Sequence, residues 1–138
     1  MTRQPDRFKG LSGFRYALRR FLAASEEISR RAGVTQQQYQ VLLAIKASDG
    51  GEVAMKDLAE ELLLTSHAAV QMVDRLEKAS LAERRPSTLD RRVVLVGLTP
   101  KGATLVKMLA DQHLDEMLRQ EPRLRRSLND LRRLASDK

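Results

Sequence analysis

The chain has 138 residues, no cysteine and a formal net charge of +7. This length predicts a single domain with a core of its own, and the lack of cysteine excludes disulfides, thiolate metal sites and thiol redox sensing within this sequence. No apolar run is long enough to cross a bilayer, and Met1–Leu11 lacks a signal-peptide pattern, so we expect a cytoplasmic protein without a membrane span. Charged and helix-forming residues dominate, which indicates a mainly α-helical fold.

The first third of the chain is predicted to form two helices. Apolar residues recur at helical spacing from Phe8 to Ile28, and Gly33 is typical of the residue that follows a helix C-terminus. Thr35-x-x-Gln38 is a capping-box pattern, in which the two side chains hydrogen-bond each other's backbone N–H groups. A second helix should therefore begin directly after Thr35.

Residues 55–78 predict two short helices joined by a tight corner. The corner falls at Leu63-Leu64, and Thr65 suits the N-cap of the second helix. In that helix the apolar residues form one stripe, so the opposite face is predicted to point outward. The outward face consists of Ser66, His67, Val70, Gln71, Asp74, Arg75 and Lys78. Two helices joined in this way form the frame of a helix-turn-helix, whose second helix enters the DNA major groove.

A β-hairpin with a basic tip is predicted to follow. Residues 81–85 and 91–98 form its arms, and the polar segment 86–90 supplies the turn between them. The second arm is rich in β-branched residues, which favour an extended backbone. Residues 53–54 are expected to add a short third strand to this wing. Helix, turn, helix and wing together predict a winged helix.

The C-terminal part is predicted to be helical and to pair with another copy. Thr99-Pro100 suits the start of a long helix, and Glu121-Pro122 is expected to break it before a last helix. The last helix carries a leucine stripe at positions 124, 128, 131 and 134. Because this stripe is wider than so small a chain can easily cover, it favours association into a homodimer.

These segments together resemble the MarR family of bacterial transcription regulators. The matching pieces are LAEEL, a Ser/Thr-rich start of the second helix, VDRLEK, DRR and LTPKG. The resemblance implies a mainly α fold with a small β-hairpin wing, in one MarR-like domain over residues 1–138. A winged helix-turn-helix lobe (35–98) would be flanked by N- and C-terminal dimerisation helices (8–32 and 100–136).

Three positions depart from the family pattern. Val70 and Gln71 stand where the family often has a hydroxyl and a basic residue, and Ser80 stands where it commonly has a helix-ending Gly. The base preferences of other members should therefore not be transferred. A serine at position 80 would need a left-handed backbone or a different cap.

The wing tip carries the sharpest functional pattern. Asp90-Arg91-Arg92 places a carboxylate beside two guanidinium groups at the predicted turn. Such a tip can enter the minor groove, where an arginine senses groove width and an aspartate can hold it in place. The resemblance assigns the family motif to Asp90 and Arg92. For Arg84 and Arg85 on the other arm, phosphate contact and plain solvation both remain open.

The second helix of the motif carries the candidate base contacts. Gln71 suits paired hydrogen bonds to adenine, and Val70 suits contact with a thymine methyl group. Thr65 and Ser66 lie at the helix N-terminus, where hydroxyl and N–H groups bind phosphate. His67 is interpreted either as a DNA contact or as an ordinary surface residue.

Arg75 leaves two interpretations open as well. It can reach a phosphate, or it can pair with a carboxylate such as Asp74 or Glu77. The predicted groove-facing segment 65–80 is electrically neutral, since it holds two cations and two carboxylates. Positive charge is concentrated instead in the wing and near both termini, which suits phosphate contacts that flank a base-reading helix.

The sequence therefore predicts a DNA-binding transcriptional regulator without enzymatic activity, cofactor or metal. His67 and His113 lie far apart, and no nucleophile or phosphate-cradling motif is present. The resemblance implies a homodimeric repressor on a pseudo-palindromic operator in double-stranded DNA, released by a small aromatic or phenolic effector. Two alternatives remain: a protein-interaction module on a winged-helix frame, and an architectural DNA-binding protein with little sequence preference.

Overall fold

The computed structural model of the protein describes residues 6–136. The first five residues of the Met1–Leu11 segment and both ends of the expected 1–138 domain lie outside this range. The chain folds into two compact units. One consists of the described residues within Met1–Ile28 and Gln112–Lys138, and the other is Ser29–Asp111.

Five α-helices and three β-strands follow one another along residues 6–136. The helices are α1 (Arg7–Arg31), α2 (Gln36–Ala47), α3 (Met55–Glu61), α4 (Ser66–Lys78) and α5 (Pro100–Ser136). The strands are β1 (Glu52–Ala54), β2 (Ala82–Pro86) and β3 (Val94–Leu98), and a short 3-10 turn at Asp49–Gly51 precedes β1. This order confirms the mainly helical fold with a small wing.

The wing is a three-stranded antiparallel sheet in the order β1-β3-β2. Val53 of β1 and Arg84 of β2 both pair with Val96 of the central strand. The predicted third strand at residues 53–54 is therefore present. Strand β3 is shorter than the arm predicted from the sequence, because residues 91 and 92 belong to the turn.

The core of the Ser29–Asp111 unit is built from apolar side chains of helices and sheet together. Its fully buried members include Leu42 and Ile45 of α2, Leu58 of α3, Val73 and Leu76 of α4, and Val96 of β3. The stripe predicted for α4 thus packs inward, which fixes the opposite face of α4 toward solvent.

Helix starts follow the predicted caps. The Thr35 Oγ1 atom accepts from the Gln38 N–H at 3.0 Å, and the Gln38 Oε1 atom accepts from the Thr35 N–H at 2.9 Å. Thr65 caps α4 through its hydroxyl, and Pro100 is the first residue of α5 after Thr99. These side chains satisfy N–H groups that have no partner inside their helices.

Three helix ends share one left-handed turn. Gly33, Leu63 and Ser80 have φ angles of 83°, 56° and 60°, and in each case the next residue donates its N–H to the carbonyl five residues before it. Gly33 adopts this backbone without strain, whereas leucine and serine do not. The left-handed alternative expected for Ser80 is therefore the one that occurs.

The predicted helix break at Glu121-Pro122 is wrong, because α5 runs without interruption from Pro100 to Ser136. Proline removes one backbone hydrogen bond but does not forbid a helix whose neighbouring turns are stable. Two contacts between side chains four residues apart support the turns around Pro122: Gln120 donates to Glu116 at 2.9 Å, and the Arg125 Nε atom lies 3.0 Å from a Glu121 oxygen.

The first turn of α5 is fastened to the turn that ends α4. The Thr99 hydroxyl donates to the Ser80 carbonyl at 2.6 Å, and the Thr99 N–H donates to the Leu81 carbonyl at 3.1 Å. Lys101 Nζ donates to the Ala79 carbonyl at 3.2 Å. A Cβ atom on Gly102 would overlap the Leu81 carbonyl oxygen, so only glycine fits there. These contacts explain why the LTPKG motif has threonine at position 99, lysine at 101 and glycine at 102.

The unit formed by α1 and the C-terminal part of α5 leaves much apolar surface uncovered. Large apolar side chains exposed on its two helices are Phe8, Leu11, Tyr16, Leu18, Leu22, Leu114, Met117, Leu118 and Leu128. A buried polar pair also lies in this unit, where Ser25 Oγ and His113 Nε2 are 2.8 Å apart. Within residues 6–136, no helix is long and apolar enough to cross a membrane.

Candidate nucleic-acid interface

The outer face of α4 is polar and open to solvent. Ser66, His67, Val70, Gln71 and Arg75 are all exposed, as the apolar stripe on the opposite side requires. At the N-terminus of α4, the Thr65 Oγ1 atom accepts from the Ala68 N–H at 3.1 Å. The Thr65 hydroxyl is thus already used as a cap, while the Ser66 hydroxyl remains available to a ligand.

The wing turn is held by the side chain of Ser87. Its Oγ atom accepts from the N–H groups of Leu89 and Asp90, both at 3.2 Å. Asp90 in turn accepts from the backbone N–H of Arg92 at 3.0 Å and from its Nε at 3.3 Å. The Arg92 side chain is nevertheless 91% exposed. The turn therefore fixes the backbone of Arg92 and leaves its guanidinium group accessible to solvent.

The same contacts determine the charge state of Asp90. Hydrogen bonds first from the Arg92 backbone and then from the Arg92 side chain hold the pKa of this carboxyl below its usual value. Asp90 therefore stays ionised through the neutral and mildly acidic range, and its hold on Arg92 is lost only as the pH falls through the lowered pKa. The contact predicted between Asp90 and Arg92 is present.

Arg84 lies between the wing and α4 and contacts both. One guanidinium nitrogen lies 2.7 Å from an Asp74 oxygen, and another is hydrogen-bonded to Glu77. The Arg84 backbone N–H also donates to Glu77 at 3.4 Å. From the sequence, phosphate contact and plain solvation are the two alternatives for Arg84. The pairing with two carboxylates is neither of them. The two partners lie seven and ten residues away in the sequence and on another element, so no periodic pattern could have revealed the pairing.

Arg85 is occupied by the sheet. Its guanidinium lies 2.9 Å from Glu83 and 3.3 Å from Glu52, and it donates to the Leu98 carbonyl at 3.1 Å. Hydrogen bonds to Glu83 and Glu52 hold the pKa of Arg85 above its usual value. The side chain lies across Gly97, where a Cβ atom would overlap it. Arg85 thus ties together the edge strands of the wing.

Arg75 and Arg91 are two arginines beside this surface that remain uncommitted. Both are exposed, and neither forms an ion pair within the part of the chain that the structure describes. The pairing of Arg75 with Asp74 or Glu77, one of its two sequence interpretations, does not occur because both carboxylates bind Arg84. The exposed side of the lobe therefore offers guanidinium groups from Arg75, Arg91 and Arg92.

Two clefts open beside these residues within the Ser29–Asp111 unit. One, of about 300 Å³, lies between α2, the α3–α4 corner and α4, and its walls include Val41, Leu64, Met72, Gln71 and Arg75. The other, of about 460 Å³, lies between the start of α3 and the wing, with Met55, Ser66, Arg92 and Val94 in its walls. No cluster of three or more potential metal ligands occurs among residues 6–136.

Comparison with known sequences finds that this lobe is similar to one family. The MarR family model matches residues 32–93. The repressor MdtR of Bacillus subtilis is 36% identical over 76 residues, which cover 55% of this chain and 48% of MdtR. The regulator MhqR of the same organism is 32% identical over 71 residues, or 49% of each chain. The chain thus spans about half the length of the curated relatives it matches.

Comparison with solved structures extends the likeness to most of the chain. AbsC, a MarR family transcriptional regulator from Streptomyces coelicolor, has a TM-score of 0.74 at 23% identity, over 86% of this chain and 82% of AbsC. A mutant MarR from E. coli complexed with operator DNA has a TM-score of 0.67 at 27% identity, over 78% of this chain and 74% of MarR. These structures share the winged-helix fold described above.

Proposed function

We propose that the chain is a transcription regulator of the MarR family that binds double-stranded DNA, because the family model matches residues 32–93 of its winged-helix lobe. One observation carries this proposal. The outer face of α4 is exposed and lies in one lobe with a wing whose tip presents Arg92 on a turn fixed by Asp90 and Ser87. A helix of this kind fits the major groove, and an arginine at a wing tip fits the minor groove.

In this proposal the residues of α4 divide into base and phosphate contacts. Gln71 reads an adenine through paired hydrogen bonds, and Val70 contacts a thymine methyl group. Thr65, Ser66 and His67 lie at the helix N-terminus, where the helix dipole and free N–H groups favour a phosphate. Arg75 and Arg91 supply further phosphate contacts, since neither is engaged in an ion pair among the described residues.

We further propose that the active form is a homodimer. The large apolar side chains exposed on α1 and α5, including Phe8, Leu114 and Leu118, would be covered in such a dimer. A two-fold dimer would present two copies of α4 to a pseudo-palindromic operator with half-sites roughly 34 Å apart. Residues 8–32 and 100–136 are the proposed dimerisation helices, and residues 35–98 the DNA-binding lobe.

The regulatory proposal is repression relieved by a small aromatic or phenolic effector. One relative is named as a repressor, and a regulator bound across a promoter excludes the transcription machinery. The cleft of about 300 Å³ supports an effector, because its walls are partly apolar and include Gln71 and Arg75 of the proposed DNA-binding face. A ligand acts here only if it binds the DNA-free arrangement more tightly than the DNA-bound one.

Selection from a pool of random duplexes tests the proposal. We expect enrichment of an inverted repeat, with an affinity that falls steeply as salt is raised, because phosphate contacts release counterions. A promoter that carries the selected sequence should lose transcription when the protein is added. Absence of enrichment at low salt, or association with proteins that is insensitive to salt, would instead favour the protein-interaction module.

A further inference from the structure

The proposed reading helix carries two acidic residues in its second half. Asp74 lies three residues after Gln71 and four after Val70, so it shares their exposed side of α4, one turn further along. Its side chain is 48% exposed. Glu77 follows in the last turn, at the edge of α4 nearest the wing. Free carboxylates here would repel DNA phosphates, and their charge also opposes the negative end of the helix dipole.

A single arginine contacts both carboxylates. Arg84 projects from β2, and its side chain is only 30% exposed because it is enclosed by its two partners. One arm of the guanidinium contacts Asp74, and the other contacts Glu77, in a geometry that a forked group allows and a lysine does not. The backbone hydrogen bond from Arg84 to Glu77 adds a third contact between β2 and α4.

We propose that Arg84 does not bind DNA but acts as the counter-charge of Asp74 and Glu77 on α4. Its single positive charge reduces the net negative charge of this cluster from −2 to −1, which weakens the repulsion between the C-terminal half of α4 and DNA phosphates. This inference rests on the proposed function, because it concerns how the same surface meets DNA. It differs from phosphate contact by Arg84, since a guanidinium occupied by two carboxylates has little capacity for a phosphate.

Four variants distinguish the counter-charge role of Arg84 from a phosphate contact by the same residue. They are Arg84→Gln, the double variant Asp74→Asn with Glu77→Gln, the triple variant that combines all three changes, and Arg125→Gln as a control. Arg125 pairs with Glu121 on α5, so its replacement removes the same net charge far along the sequence from α4. Each is measured against the duplex recovered by selection with the wild-type chain, over a range of salt concentrations.

We expect Arg84→Gln to weaken duplex binding roughly fivefold, because it leaves two carboxylates uncompensated near phosphates. The triple variant should recover the affinity of the wild type to within about twofold or bind more tightly, since its cluster has no net charge, against −2 in Arg84→Gln and −1 in the wild type. The Arg125→Gln control should bind as the wild type does. A merely structural loss in Arg84→Gln would not be restored by two further substitutions that also delete hydrogen bonds.

Two results would overturn the inference. One is a triple variant no tighter than Arg84→Gln, together with a salt slope reduced by about 0.9, as expected for a lost phosphate contact. The other needs no variant: NMR signals of the Arg84 Nε–H group should stay unchanged on DNA addition while those of Arg92 shift, and a shift at Arg84 contradicts the inference. A wild-type chain that binds no duplex would refute the proposed function as well, whereas binding without rescue refutes only this role of Arg84.

Discussion

The contacts between Asp90 and Arg92 show how a short turn orients the arginine that we propose enters the minor groove. Two hydrogen bonds from Arg92 reach one Asp90 oxygen, and a longer one of 3.5 Å reaches the other. Because the carboxyl remains ionised well below neutral pH, this arrangement persists over the pH range of most binding experiments. These contacts restrict the conformations of the Arg92 side chain before it binds DNA, which reduces the conformational entropy lost on binding.

Replacement of Arg92 by alanine should weaken duplex binding by about 1–3 kcal/mol, because the wing loses its minor-groove contact. Fluorescence anisotropy with a labelled duplex at moderate salt measures this loss. Asp90→Asn serves as the comparison and should show a smaller loss, since it releases the side chain of Arg92 without removing its charge. An unchanged isotherm for Arg92→Ala would remove the wing from the DNA interface.

Replacement of Gln71 by alanine should change sequence preference more than total affinity. The exposed amide reads one base in the proposal, whereas most of the binding free energy comes from phosphate contacts. Selection from random duplexes with the variant and the wild type provides the measurement. If both proteins return the same consensus, Gln71 does not read a base.

At the scale of single elements, the end of α4 stores backbone strain. Ser80 has a φ of 60°, which costs a residue with a Cβ atom about 1–2 kcal/mol. Ser80→Gly should therefore raise the free energy of unfolding by about 0.5–1 kcal/mol, after allowance for the greater freedom of glycine in the unfolded chain. Urea denaturation followed by circular dichroism measures the change.

The neighbouring alanine gives a matched control for this prediction. Ala79 has a φ of −84°, so a glycine there relieves no strain and should lower the free energy of unfolding. Equal effects of Ser80→Gly and Ala79→Gly would show that the left-handed turn is not the source of the strain.

Much of the element order follows from local chemistry. Thr35, Thr65 and Thr99 mark helix starts because a hydroxyl at an N-cap acts on residues only two or three positions away. The third strand at residues 53–54 is predicted as well and is present. Such signals are encoded within a few residues of the element they define, so a single sequence is enough to find them.

Other features depend on contacts that no local pattern records. Pro122 was expected to end a helix, but intact turns on both sides carry α5 past it. The carboxylate partners of Arg84 and Arg85 come from α4, β1 and β2, and the one joining Arg85 to Glu52 spans 33 residues. The exposed face of α4 could be predicted from its apolar stripe. The ion pairs of Arg84 and Arg85 with carboxylates could not be predicted in this way.

At the scale of the whole molecule, the exposed apolar residues on α1 and α5 form the surface that we propose is covered in a dimer. Leu118 is 62% exposed and Leu114 is 58% exposed, and both lie four residues apart on one side of α5. Leu131 and Leu134 differ from them, because their side chains pack beside Gly10 of the same chain. The proposed interface between copies is therefore tested better at Leu114 and Leu118 than in the last two turns of α5.

Replacement of Leu114 and Leu118 by aspartate should convert the proposed dimer to monomer, because four carboxylates would be buried at the interface of each pair. Size-exclusion chromatography with light scattering gives the mass. The control is Leu89→Asp, since Leu89 is 97% exposed on the wing tip and lies outside the proposed interface. If the double variant keeps the mass of a dimer, the interface lies elsewhere.

The junction at Leu98–Gly102 has a mechanical consequence for any signal that acts on α5. Backbone atoms of this helix touch the 79–81 turn without an intervening flexible side chain, since Gly102 faces the Leu81 carbonyl directly. A rotation of the first turn of α5 about the helix axis is therefore transmitted directly to the C-terminal end of α4. A ligand that rotates α5 would thus reorient α4 through its C-terminal end, without contacting the face that we propose binds DNA.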